Sequence, residues 1–440
     1  MPGFYLLNLG CAKNLVEGEH LAGMLLAKGW QAVQSPGKAS ALIVNTCAFI
    51  QPAVAESIQA ILELAGEKKS NQMLAVVGCL VGRYGKKLAR SLPEVDLLVA
   101  PGEVHRLDEL LRKPPPERLA ISSAQGIFTS KDPRALSTGP GWAYMRLADG
   151  CSQRCSFCTI PGIRGKLRSR SREDLLLEAR FLAKSGVKEL NLVAQDLTSY
   201  GLDLEAKPRL AGLIRELAEV TEIEWIRLLY LYTDNLDDEL IQAMAETNKV
   251  IPYFDLPLQH IADPVLDLMG RRRTGREIKD LIGRIREMVP EAVLRTTLMV
   301  GHPGEGPQEY IELLDFVAQT RFDHLGCFAF QPEPGTKSAR LPAPERHEAR
   351  ERRDRLMALQ KDISRENLAR LKGSTLPVLV LGPHPESDLL WQGRLESQAP
   401  EVDGEVIITQ GAARPGSIAL CKINKCHDYD LEAELVDTGD

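Results

Sequence analysis

The chain has 440 residues, 44% hydrophobic and 26% charged, with a net charge of −6. That length predicts two or three domains with ample core, and the charge balance excludes a global basic footprint for nucleic acid. No apolar run reaches the ~20 residues of a membrane span. The nine cysteines, with no secretory leader ahead of them, point to reduced thiols in a cytoplasmic protein rather than to a disulfide framework.

The first predicted elements are strands. Residues 4–9 form a short apolar run that ends in Gly10-Cys11, residues 41–44 lead through Asn45-Thr46 to Cys47, and residues 73–77 lead to Gly78-Cys79. Such runs read as buried parallel strands. Helical patterns at about 15–28 and 54–64 complete a βαβαβ unit. Parallel strands place all their C-termini on one sheet edge, where ligands bind, so Cys11, Cys47 and Cys79 are expected to converge there. One buried strand-end cysteine is unremarkable. Three after consecutive strands favour a 4Fe–4S cluster with three protein ligands and one open iron.

This first α/β domain is expected to span residues 1–112. The stretch 113–138, rich in proline and charge, reads as a linker. A second domain, 139–372, alternates strand runs (143–147, 189–194, 225–231, 251–256, 293–300, 324–330) with helical patterns. Its first clear helix follows Ser171, with Asp174 completing a capping box, and stops before Gly186. Six β/α units predict a partial (β/α)6 barrel, whose site lies at the strand C-terminal ends.

Just after the first of these strands comes Cys151-Ser152-Gln153-Arg154-Cys155-Ser156-Phe157-Cys158. Three thiolates on one loop can hold three irons of a 4Fe–4S cluster and leave the fourth open, since no fourth cysteine is near. Zinc would want a second Cys pair or a nearby His, and the sequence offers neither. The spacing C-x3-C-x2-C is similar to that of radical S-adenosylmethionine (SAM) enzymes, in which SAM chelates the open iron. The other strand ends carry Gln195-Asp196, Thr233-Asp234, Gln259-His260 and His302-Pro303-Gly304-Glu305. Arg164, Lys166, Arg168, Arg170 and Arg172 form a basic run beside the loop. From these, Gln195, Asp196 and Arg170 are the candidate SAM contacts, although any of them could instead be a helix cap or a solvated loop residue.

A charged helical stretch at 344–371 leads to the last domain, 373–440, whose β-runs (376–381, 405–409, 417–423) predict a small antiparallel β-barrel. Residues 374–440 hold twelve Asp/Glu against four Lys/Arg, a net of −8. Such a barrel would repel a phosphate backbone and attract a basic protein, chiefly through Glu401/Asp403/Glu405 and Asp428/Asp430/Glu432/Glu434. Cys327, Cys421 and Cys426 read as structural.

Over nearly its whole length the sequence resembles the methylthiotransferases of the radical SAM superfamily. The residues that carry the likeness are Asn8-Leu9-Gly10-Cys11-Ala12-Lys13-Asn14, Val44-Asn45-Thr46-Cys47, Val77-Gly78-Cys79 and the C-x3-C-x2-C loop. Asn8 stands where Ser or Thr is expected before the Leu-Gly pair. The resemblance implies two 4Fe–4S clusters, a C-terminal TRAM barrel, and SAM used twice, once to methylate a cluster-bound sulfur and once to supply a radical. It also implies a sulfur donor and an electron donor such as flavodoxin or ferredoxin. Lys13-Asn14-Leu15-Val16, the 195–201 stretch and Asp428-Tyr429-Asp430-Leu431 are similar to the branch acting on the β-carbon of an aspartate in ribosomal protein uS12. The rival readings are the branch that modifies isopentenylated adenosine of tRNA, and a non-catalytic iron–sulfur sensor bound to the ribosome.

Overall fold

The computed structural model describes residues 1–122, 126–207, 209–411 and 413–436. Strands β1 (Gly3–Asn8), β2 (Gln31–Ala32), β3 (Ala41–Thr46), β4 (Met73–Gly78), β5 (Leu97–Val99) and β6 (Leu119–Ala120) form one parallel sheet, in the order β2-β1-β3-β4-β5-β6. Helices α1 (Ala12–Ala27), α2 (Gln51–Glu67), α3 (Cys79–Ser91) and α4 (Leu107–Arg112) cover it. Successive strand residues point to opposite faces. Leu42, Val44, Leu74 and Val76 therefore enter one core, and Ala41, Ile43, Ala75 and Val77 the other. The three predicted cysteine-bearing strands are β1, β3 and β4. The others are two or three residues long, too short for a sequence pattern, and β6 arises within the stretch read as linker.

The second unit begins with β7 (Trp142–Arg146), β8 (Ala148–Asp149), α5 (Ile160–Arg164), β9 (Arg168–Ser169) and α6 (Arg172–Lys184). It continues through β10 (Glu189–Val193), α7 (Leu210–Ala218), β11 (Trp225–Leu228), α8 (Asp238–Glu246), β12 (Tyr253–Gln259), α9 (Asp263–Met269) and α10 (Gly275–Met288). Its last elements are β13 (Val293–Val300), α11 (Pro307–Thr320) and β14 (His324–Ala329). Strands β7, β10 and β11 form one parallel sheet and β12, β13 and β14 another. Ile226 joins them, accepting from the Ile251 N–H at 2.9 Å and donating to the Lys249 carbonyl at 2.7 Å. The result is an open six-stranded half-barrel. Ser171 caps α6 by accepting from the Asp174 N–H, as the capping pattern predicts. The helix-facing strand residues, such as Met145, Leu192, Leu228 and Leu298, are apolar. The inward-facing ones include Arg146, Glu189, Asn191, Arg227 and Asp255, all buried. A polar lumen in a close-packed domain marks where ligands go.

Helix α12 (Arg346–Ala369) packs along β14 and leads to the C-terminal barrel. This comprises β15 (Thr375–His384), β16 (Ser387–Leu395), β17 (Val406–Gln410), β18 (Ile418–Cys426) and β19 (Leu431–Leu435), closed in the order β15-β16-β17-β19-β18. Its neighbours are antiparallel except β17 and β19, which run parallel. Cys421 is buried in its core, and Cys327 is buried in β14.

Several of the acids read as a basic-partner surface are bound to residues of the chain instead. Glu401 accepts from Tyr144 Oη at 3.0 Å and Asp403 from Tyr253 Oη at 2.5 Å, so both dock the barrel onto the half-barrel. Asp428 pairs with Lys361 and Arg365 of α12, and Glu432 with Lys425 and His427. A charge count sees the carboxylates, but not the partners that distant elements bring to them.

Candidate active site

The first three cysteines stand at one edge of the N-terminal sheet. Cys11 precedes α1, Cys47 follows β3, and Cys79 follows β4 and opens α3. Gly10 has φ +100°, and a Cβ there would lie 2.7 Å from Cys47 Cβ, so only glycine lets these two loops meet. Asn14 ties the three together. Its Nδ2 donates to the carbonyls of Leu9 and Thr46 at 3.0 and 2.9 Å, and its Oδ1 stands 3.8 Å from Cys79 Sγ. Asn8, the departure noted in the sequence, accepts from Asn45 Nδ2 at 2.7 Å and so braces β1 against β3.

The thiols feel one another. Burial pushes Cys79 up to about 12 against the opposing Arg164 guanidinium, with Glu17, Cys11 and Cys47 adding to the rise. Burial likewise raises Cys47, opposed by the Phe49 N–H, with Cys11 adding. Cys11 is open to solvent. Burial raises it, and the Lys13 ammonium with the N–H groups of Asn14 and Lys13 outweighs that rise, leaving the thiol below its ordinary value.

The second triad lies on the loop between β8 and α5. Gly150, at φ +76°, lets it turn, since a Cβ there would meet the Lys166 carbonyl at 2.2 Å. The Gln153 and Ile160 N–H groups donate to Cys151 and Cys158 Sγ, each at 3.4 Å. Tyr232 Oη and Arg271 Nη1 stand 3.7 and 3.8 Å from Cys155 Sγ. Burial pushes Cys151 up to about 11 and Cys158 to about 12; Cys155 adds to both rises, and Cys151 to that of Cys158. Ser156 fixes the loop, donating to the Leu268 carbonyl at 2.6 Å and meeting Ser338 Oγ at 2.7 Å. Ser338 Oγ in turn meets His302 Nε2 at 2.8 Å.

The segment after Cys158 reaches the first triad. Arg164, at the end of the helix that follows Cys158, reaches Cys79 Sγ with Nη2 and Nε at 3.1 and 3.2 Å. Thr159 Oγ1 donates to the Phe49 carbonyl at 3.0 Å, near Cys47.

Of the sequence-predicted contacts, Asp196 accepts from Gln153 Nε2 at 2.9 Å and so holds the cysteine loop to the end of β10. Gln195 Nε2 donates to Asp149 at 3.0 Å, while its Oε1 is buried with no partner. Arg170 is held by other groups of the chain. Its guanidinium pairs with Asp174 and Glu178 and donates to the Arg146 carbonyl, against α6. The basic run alternates along a bend, which sends Arg164 into the cleft and Arg170 into the core. His260 and Glu305 pair with each other at 3.2 Å in the interior, and Arg352 holds Glu305 at 2.6 Å; this set joins α12 to the half-barrel. Asp234 lies 3.6 Å from Arg272.

Sequence reasoning missed Asn14, Glu17, Asp149, Tyr232 and Arg271 as parts of the site. Asn14 and Glu17 recur at helical spacing behind Cys11, a usable signal. Tyr232 and Arg271 meet Cys155 only through the fold.

All six thiols are unpaired. Among the described residues no three His, Cys, Asp or Glu side chains gather at the distances of one metal ion. A 4Fe–4S cluster gives each thiolate its own iron, so its ligands stand further apart than a single ion's. Two mutually coupled thiol triads, with the orphaned Gln195 oxygen nearby, fit such groups. Two surface hollows, one beside Lys279 and Phe316 and one beside His20 and Phe181, involve none of these cysteines.

Residues 3–100 match the "Uncharacterized protein family UPF0004", residues 145–317 the Radical SAM superfamily, and residues 373–436 the TRAM domain. Among solved structures, the chain is similar to the radical SAM methyltransferase TsrM from Kitasatospora setae, at TM-score 0.56 and 16% identity over 77% of each chain. It is also similar to the cobalamin-dependent radical enzyme OxsB, at TM-score 0.54 and 13% identity over 82% of this chain and 56% of that one. Those likenesses concern the fold. The curated "Ribosomal protein uS12 methylthiotransferase RimO" of Syntrophobacter fumaroxidans is 46% identical over 98% of both chains. Proteins of the same name from Citrifermentans bemidjiense and Myxococcus xanthus are 45% and 43% identical, covering 98% and 99% of this chain and 98% and 92% of their own. Identity of this order along both chains places this chain in the uS12 methylthiotransferase (RimO) family of radical SAM enzymes.

Proposed function

We propose that the protein adds a methylthio group to the β-carbon of an aspartate in ribosomal protein uS12. The observation that carries this reading is the two thiol triads, with Arg164, from the helix after the second, bonded to Cys79 of the first. Cys151, Cys155 and Cys158 would hold one 4Fe–4S cluster, with SAM beside Gln195 and Asp196. Cys11, Cys47 and Cys79 would hold the other. When bound, these groups supply one-electron cleavage of SAM and a sulfur for transfer. The chain's own residues hold the two sites at a fixed separation. Ser156, Gln153 and Asp196 lock the second loop, Asn14 locks the first, and the half-barrel walls exclude water. In domain terms, we read residues 1–112 as the sulfur-carrying unit, 113–138 as the linker, 139–372 as the radical core and 373–440 as the TRAM barrel.

The chemistry needs an electron donor of flavodoxin or ferredoxin type and a separate sulfur source, and the cytoplasm offers both with the ribosome. Among the described residues no helix is long and apolar enough to cross a membrane. Mass spectrometry of uS12 and tRNA from cells lacking the protein tests the reading. We expect uS12 to lose its methylthio mass while tRNA is unchanged; the reverse result assigns the protein to tRNA.

A further inference from the structure

Lys13 is a buried cation that no carboxylate among the described residues pairs with. It lies two residues after Cys11, in the first turn of α1, and is 8% exposed. Its Nζ stands 3.4 Å from the centre of the Tyr230 ring. Among the described residues it forms no ion pair. The acid nearest in effect is Asp255, but its oxygens are taken by Arg295 Nη1 at 2.7 Å and the Tyr230 N–H at 2.9 Å.

Other arginines nearby are committed to carboxylates, while Arg271 lies on the Tyr232 ring. Arg164 holds Glu17 and Cys79, Arg295 holds Asp255, and Arg227 with Arg394 shares Glu189. A buried charge without a counter-charge is costly. The Tyr230 ring and hydroxyl, together with the neighbouring Cys11 thiolate, offset part of that cost. Tyr230 is itself held in the left-handed region, at φ 62°. A bulky residue there is an outlier of the kind that clusters at ligand clamps. Its backbone N–H is fixed on Asp255 and its ring on Lys13, so the strain presents the ring to the ammonium.

We infer that Lys13 receives the side-chain carboxylate of the substrate aspartate, and that it is the residue by which this site selects an acidic side chain. The chemistry fits the position. The β-carbon to be modified is bonded directly to the carboxylate carbon, so anchoring one places the other next to Cys11, the solvent-open thiol of its triad. An asparagine or a nucleobase brings no negative charge to this cation. The inference rests on the uS12 reading above.

The test measures binding of reconstituted protein to uS12 and to uS12 whose target aspartate is changed to asparagine, with iron content assayed in parallel. Wild type is expected to prefer the aspartate form by about tenfold or more, the scale of one charge-assisted hydrogen bond. Lys13→Met and Lys13→Gln are expected to bind both forms equally, and Lys13→Arg to keep a preference. If the neutral variants still discriminate, the Lys13 assignment falls and the uS12 reading stands. If both neutral variants lose iron, Lys13 serves the cluster and the assignment also falls. If wild type binds neither form of uS12, the substrate reading fails and takes the assignment with it.

Discussion

Arg164 donates to Cys79 Sγ from two nitrogens, at 3.1 and 3.2 Å, although the two residues belong to different helices, α5 and α3, and are 85 positions apart. The same guanidinium holds Glu17 at 2.5 Å and lies 3.8 Å from Asp149. Hydrogen bonds to a cluster sulfur and local positive charge both favour the reduced, more negative state and raise its potential. Arg164→Lys keeps the charge but loses the forked donor set. We expect it to lower the potential of the cluster on Cys11, Cys47 and Cys79, read by a redox titration followed by electron paramagnetic resonance. The potential of the cluster on the Cys151 loop should hold. Equal shifts at both clusters would mean that Arg164 acts only through the general fold.

The two triads should be separable. Anaerobically reconstituted protein is expected to bind about eight irons, four per cluster, and replacing Cys151, Cys155 and Cys158 by Ala should leave about half. That variant should cleave no SAM reductively. A variant lacking Cys11, Cys47 and Cys79 should still cleave SAM and make no methylthio product. Full iron content in the first variant, or normal product from the second, would contradict the assignment.

The sequence revealed the cysteines and their strands because both signals are local. Apolar runs ending at Cys11, Cys47 and Cys79 mark sheet edges, and eight residues contain the whole second triad. Gln195 and Asp196 were legible as strand-end polar groups. Arg170 was not separable from Arg164, because six positions and one bend decide which of them faces the thiols. The fate of the barrel's acids was hidden for the same reason. Glu401 and Asp403 find Tyr144 and Tyr253 more than a hundred positions away. The polar lumen was visible in principle, since Glu189, Asn191, Arg227 and Asp255 stand in otherwise apolar strands. A buried-strand pattern treats such residues as noise, whereas an open barrel uses that face.

Glu189 is the charge on which barrel docking depends. It accepts from Arg227 Nε at 2.9 Å and from Arg394 Nη2 at 2.5 Å, and neither it nor Arg227 is exposed. Glu189→Gln leaves two buried guanidinium groups uncompensated, which costs about 3–5 kcal/mol. Arg394→Met should cost less, because Arg227 remains paired. Urea unfolding reads both, and a Glu189→Gln midpoint equal to wild type would remove the docking role. By the same logic, reversing Glu401 and Asp403 to Lys is expected to undock the barrel, seen as faster proteolysis after α12.

His20 should make the joint between α1 and the half-barrel acid-sensitive. It is buried, with its ring stacked on Phe128 at 4.7 Å and its Nδ1 3.2 Å from the Pro133 carbonyl. Burial, helped by Arg134, holds it down at about 3 from the ordinary 6.5. Below 6.5 the unfolded chain therefore takes up a proton that the folded chain refuses. Stability is complete above that pH and falls by about 1.4 kcal/mol per unit as the pH drops toward the folded value. Nearby Glu178 is buried, which raises it, but Arg170, Arg134 and His20 hold it at about 2. It adds a second loss only below about 4.5, where the unfolded carboxyl protonates. Between pH 6.5 and 5 burial of His302, held down at about 4, and of His105, also lowered, adds losses of the same sign, so the His20 share is read as the difference from its variant. His20→Phe keeps the stacked ring and cannot ionise. We expect its unfolding free energy to fall less steeply over this interval than that of wild type, by about 1.4 kcal/mol per unit, with loss of iron affecting both proteins alike. Parallel slopes would show that His20 is protonated in the fold, and the buried neutral imidazole would have to be given up.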